Sequence, residues 1–80
     1  MRIESLAANA WPPSGENYFL VEPVSGGAFH LIISTVVGPA KNEARFVAGL
    51  RSQDEAVATA KDISEKYNIG VIYLKDQARA

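Results

Sequence analysis

Cysteine is absent from the 80 residues, and histidine occurs once, at His30. Disulfides, thiolate metal sites and a cysteine nucleophile are therefore excluded. A zinc site built on one histidine would need mostly carboxylate ligands, an unusual set, so no metal or cofactor is expected. An excess of one charge is also missing. Eight basic and nine acidic side chains leave a net charge of −1, whereas non-specific nucleic-acid binders usually carry a basic excess. No stretch approaches the ~20 apolar residues of a membrane span. The first dozen residues hold Glu4 and Asn9 and no long apolar run, so no secretory signal is expected. Phosphate-loop strings (GxxxxGKS/T, GxGxxG) do not occur, nor does a GxSxG nucleophile elbow. These absences predict a free-standing cytoplasmic protein, not an enzyme, without membrane contact. The length allows one domain with a core near the lower useful size.

What is present begins with a helix. "SQDEAVATAKDISEKYN" (52–68) opens with Ser52 and places Glu55 three residues later, the spacing of a capping box. Asp54 and Glu55 lie in the first turn and Lys66 in the last, as the helix dipole favours. Ala56, Val57, Ala60, Ile63, Ser64 and Tyr67 recur at helical spacing and form one moderately apolar stripe. Its alanines predict a close approach to whatever it covers. Asn68 suits a left-handed C-terminal cap.

Four stretches read as strands: residues 17–24, 28–37, 44–50 and 70–75. Ser25-Gly26-Gly27 signals a hairpin and Gly38–Glu43 a longer turn. Loop length decides which side chains share a face. A two-residue loop would set Glu22 among Phe29, Leu31 and Ile33, and burying an unpaired carboxylate costs about several kcal/mol. A three-residue loop sorts the sets better. Phe19, Val21 and Pro23 then join Phe29, Leu31 and Ile33 under the helix. Tyr18, Leu20 and Glu22 join His30, Ile32 and Ser34 on the other face. The same alternation assigns Phe46, Ala48, Leu50, Ile72 and Leu74 to the helix side. It assigns Arg45, Val47, Val71, Tyr73 and Lys75 to the outer face.

His30 is the first residue to suspect of chemistry. In this register it faces outward opposite Glu22, a cross-strand contact worth about 0.2–1 kcal/mol. Ser34 shares that face, but four extended residues separate the two by ~13 Å, too far for a Ser–His hydrogen bond. The remaining carboxylates read as solvated surface charges. "WPPSGENY" lacks the proline spacing of a docking motif. Trp11 is expected to plug the sheet margin, with Pro12-Pro13 enforcing an extended exit. Residues 1–16 fit either a short helix or an edge strand and must dock on the sheet to be ordered.

The outer face, as assigned, is too apolar for solvent, and such patches usually mark an interaction surface. Its expected members are Trp11, Tyr18, Leu20, Glu22, His30, Ile32, Arg45, Val47, Val71, Tyr73 and Lys75. Either the N-terminal segment or another chain should cover it.

Gly26-Gly27-Ala28-Phe29 entering the second strand, Ser52, Glu55-Ala56 and Ala60-Lys61 along the helix, and Val71-Ile72 with Lys75-Asp76 carry a resemblance. The chain resembles a family of short bacterial proteins catalogued as a domain of unknown function. Members run strand–strand–strand–helix–strand, with Trp where this chain has Phe29 and Gly where it has Gln77. The resemblance spans about two-thirds of the chain, leaves out residues 1–16 and transfers no active-site residue.

The expected architecture is α+β. Residues 17–76 form a four-stranded, mainly antiparallel sheet with one helix on one face, and 77–80 form a tail. In order of appearance the strands should lie 3-2-1-4, the last parallel to the first. The expected role is a non-catalytic interaction module, a small adaptor or inhibitor of the kind phages and mobile elements carry. It would use the open sheet face or a strand edge to bind a protein partner or a second copy. The alternative is single-strand nucleic-acid binding through Tyr18, Tyr73, Arg45 and Lys75.

Overall fold

The computed structural model describes residues 1–13, 15–39 and 41–76. In chain order it holds β1 (Arg2–Leu6), β2 (Tyr18–Pro23), a 3-10 turn (Ser25–Gly27), β3 (Phe29–Gly38), β4 (Lys41–Leu50), α1 (Gln53–Tyr67) and β5 (Val71–Lys75). The strands make one sheet in the order β1-β5-β2-β3-β4.

The β2–β3 hairpin sets the register of the rest. Gly26 and Gly27 take φ of 82° and 76°, the left-handed region that glycine enters without steric cost. The Val24 amide donates to the Ala28 carbonyl at 3.0 Å and closes a three-residue loop. Phe19, Val21 and Pro23 consequently pair with Ile33, Leu31 and Phe29, while Tyr18, Leu20 and Glu22 pair with Ser34, Ile32 and His30. Both sets sort as the three-residue loop requires.

The helix also follows its local signals. Ser52 Oγ accepts from the Glu55 amide at 3.1 Å, and the Glu55 carboxylate reaches back to the Arg51 amide at 3.2 Å, one residue before the cap. Asn68 is left-handed, at φ 53°, and its neighbour Ile69 donates to the Ser64 carbonyl. Ala56 and Ala60 are fully buried against Phe19, Val21, Leu31, Ile33, Leu50 and Ile72, with Val57, Ile63 and Tyr67 at the margin.

Three expectations need correction. The sheet has five strands where four were expected, because residues 2–6 take the edge-strand alternative. β1 runs parallel to β5, with Ile3 beside Ile72, and gains bonds at both ends, Arg2 N to Gly70 O and Asp76 N to Leu6 O, each 2.9 Å. Since β5 is also parallel to β2, two pairings are parallel and two antiparallel, a mixed sheet where a mainly antiparallel one was expected. The order β4-β3-β2-β5 within it is the expected 3-2-1-4, and β2 to β5 run strand–strand–strand–helix–strand.

The third correction concerns β4. Leu31 pairs with Val47, yet Phe29 pairs with Leu50, so β4 carries one extra residue at Ala48-Gly49. Gly49, at φ 80°, supplies the left-handed residue of this bulge. One inserted residue inverts the alternation before it. Leu50 stays under the helix as expected, but Val47 and Arg45 now lie on the helix side and Phe46 on the outer face beside Ile32. β4 also begins at Lys41, earlier than the expected residue 44. The expected tail, 77–80, lies outside the described residues.

The buried alanines give a stability prediction. Ala60→Leu should cost about 1–3 kcal/mol by overpacking, measured by urea unfolding, while the same change at exposed Ala58 should shift stability by less than about 0.5 kcal/mol. Equal effects at the two positions would show that the helix does not sit as close as described.

Candidate functional site

The outer face of the sheet carries a second apolar cluster. Leu20, Ile32, Val71 and Tyr73 are buried there, with Leu6 and Tyr18 packed against them. The Tyr18 and Tyr73 rings meet edge to face at 5.9 Å. One helix cannot reach this side. Instead the chain between β1 and β2 returns across it, and buried Pro12 lies within that segment.

Polar contacts fix the return. Tyr73 Oη donates to Glu16 Oε1 at 2.8 Å. Asn42 Nδ2 on β4 donates to the Glu16 carbonyl at 3.0 Å and to Ser34 Oγ at 3.1 Å. The Gly15 amide donates to Asn42 Oδ1 at 3.4 Å. Asn17 then joins two elements: its Oδ1 accepts from the Val36 amide at 2.8 Å, and its Nδ2 donates to the Tyr67 carbonyl at the end of α1. Buried polar atoms need such partners, and no described buried side-chain N or O atom lacks one. Burial, and then the bond to Glu16, raise the Tyr73 phenol above its ordinary value. Arg2 is raised too, first by Glu4, with which it pairs at 2.8 Å, and then by the neighbouring Tyr73 hydroxyl.

The expected interaction residues therefore separate. Tyr18, Leu20, Ile32, Val71 and Tyr73 share the outer face but are buried or half-buried under the return segment. Arg45 and Val47 lie on the opposite face, because of the bulge. Trp11 does not plug the margin: it is 66% exposed, and its ring carries Lys75 Nζ at 3.8 Å from the centroid. Glu22 and His30 are directly opposite and half-buried, but among the described residues the ion pairs are Arg2–Glu4 and Arg45–Glu43 and not these two. Tyr18, Tyr73, Arg45 and Lys75 do not form one stacking platform. Base stacking needs open aromatic faces, and Tyr73 is 5% exposed.

The described residues hold no cluster of three metal-ligating side chains. A cleft of about 180 Å³ lies between the carboxyl ends of β5 and β2 and the start of α1, lined in part by Ser5, Gln53, Lys75 and Asp76. No helix of the described residues is long and apolar enough to cross a membrane.

What stands free is the edge at β4. This strand is ten residues long and, among the described residues, pairs on one side only, with β3. Phe46 projects from its outer face and is 65% exposed, opposite Ile32 on β3. Sequence reading missed Phe46 because Gly49 was read as strand interior; a glycine inside a strand pattern is the signal for a bulge. No family model, curated protein or solved structure matches the chain.

The raised Tyr73 value fixes a pH dependence. The folded state holds this proton more tightly than the unfolded chain, so stability falls as pH rises past about 10, the ordinary tyrosine value. Urea unfolding from pH 8 upward should show this loss, and Tyr73→Phe should remove Tyr73's share of it while lowering stability at neutral pH by about 0.5–1.5 kcal/mol. An unchanged pH profile in the variant would dismiss the Tyr73–Glu16 bond as a stabilising contact.

Proposed function

We propose that this chain is a non-catalytic protein-interaction module, a small adaptor or inhibitor that binds a protein strand along the free edge of β4. The observation that carries this reading is the ten-residue edge strand with a solvent-exposed phenylalanine beside it. An edge strand presents unpaired N–H and C=O groups that can template another strand. Strand addition draws affinity from main-chain bonds and specificity from the flanking side chains. An exposed aromatic at such an edge is a natural anchor, since aromatics dominate interface energetics. The competing edge, β1, is five residues long against ten for β4, so it offers fewer main-chain bonds.

This reading uses the strand edge, not the sheet face. The apolar cluster on the outer face already has an intramolecular cover, so its burial needs no second protein. Adaptor and inhibitor roles require the same thing of the molecule: a stable scaffold that presents one edge.

The test replaces Phe46 with photo-reactive benzoylphenylalanine in cells of the source organism, with Asp62 on the exposed side of α1 as the control position. Irradiation should give a covalent protein adduct from position 46 and none from position 62. The adduct should disappear in Ala44→Pro, since proline removes an edge donor and disturbs strand pairing. No adduct at position 46, or equal adducts at both positions, would refute the edge-binding role.

A further inference from the structure

We infer that the occupant of the β4 edge is a second copy of this chain, paired antiparallel about a two-fold axis through Ala44. This rests on the edge-binding role proposed above and names its partner. The argument is charge complementarity along the strand. Glu43 and Arg45 lie two residues apart on one face of β4, both exposed, and pair within the chain at 3.5 Å. Ala44 stands between them on the opposite face.

Set two β4 strands antiparallel with Ala44 opposite Ala44. Each Arg45 then faces the partner's Glu43, so the interface gains two opposite-charge cross-strand pairs. On the outer face each Phe46 meets Asn42 and lies diagonal to the partner's Ala44, whose methyl leaves room for the ring. Diagonal neighbours are about 7–8 Å apart, within reach of an aromatic side chain.

Neighbouring registers do worse. Sliding one copy by two residues sets Arg45 against Arg45 or Glu43 against Glu43, and like charges directly opposite are destabilising. Sliding by one residue turns the second copy over and sets Phe46 against Glu43 or Lys41. The irregularities at the two ends of β4, between Val36 and Gly38 on β3 and at Ala48-Gly49, confine regular pairing to the segment that holds this pattern. A two-fold contact of this kind is self-complementary and closes, so two five-stranded sheets become one of ten strands and no further edge of β4 remains.

The experiment is light scattering across a concentration series, on the wild-type chain and on charge-swapped variants whose fold is checked by circular dichroism. Wild type should reach twice the 8.6 kDa chain mass. Glu43→Arg alone and Arg45→Glu alone each place like charges in register and should weaken the dimer at least about tenfold. An equimolar mixture of the two single variants should recover the dimer, as should the double variant, because each arrangement restores opposite charges. Recovery on mixing cannot come from a repaired fold. A wild-type chain that stays monomeric to about 100 µM, a modest demand on affinity, overturns the inference. A dimer indifferent to the single swaps overturns the register. If Phe46 crosslinks a different protein while the chain stays monomeric, self-pairing fails and the edge-binding role stands. If neither dimer nor crosslink forms, both fail.

Discussion

The hydrogen bond from the Tyr73 hydroxyl to the Glu16 carboxylate ties the middle of the sheet to the chain that crosses it. A sheet backed by one helix has two apolar faces and one cover. Here Leu20, Ile32, Val71 and Tyr73 are the set beyond the helix's reach, with Leu6 and Tyr18 packed against them, and Glu16 of the return segment bonds across their side to Tyr73 and Asn42. That segment contains two consecutive prolines, and its largest apolar side chain, Trp11, stays 66% exposed. Side-chain bonds hold it instead: Asn42 clasps the Glu16 backbone, and Asn17 links β3 to the end of α1. An apolar cluster and its polar fastening depend on each other. The buried phenol needs the carboxylate, and the segment that brings the carboxylate is what buries the phenol.

Closing that face moves the exposed apolar surface to the margin. Trp11 stays exposed over Lys75, and Phe46 stands out beside β4. Free edges are usually blunted by charge and by bulges, and β4 carries both: Lys41, Glu43 and Arg45 along its length, and irregular pairing at each end. The same features that deter indiscriminate strand addition give the central segment a recognisable pattern. An edge with alternating signs accepts a strand of matching signs and resists others.

His30 illustrates how far a single residue can be read. Its outward direction and its position opposite Glu22 follow from hairpin loop length alone, and both are found. No ion pair between the two is formed among the described residues. Alternation fixes which face a side chain takes; it does not fix the torsions that would bring two charged tips together. Tyr18 and Tyr73 teach a similar lesson. Their shared face was legible, and their edge-to-face contact follows from it, but their burial depended on a segment far away in sequence.

The local features were therefore decided by the sequence. Ser52, Glu55 and Asn68 mark the helix, its alanine stripe marks the buried side, and the glycines of residues 25–27 set the hairpin register, because caps, periodicity and turn torsions act over a few residues. The tertiary structure decided the rest. Residues 2–6 could satisfy their backbone as helix or strand, and only the free edge of β5, some seventy residues later, settles it. The face taken by Phe46 turned on one inserted residue, and a bulge is chosen by the strand it pairs with. The cover over the outer face joins Glu16 to Asn42 and Tyr73, partners that no short-range pattern connects. Such choices depend on which distant groups meet, and that is settled only when the whole chain is packed.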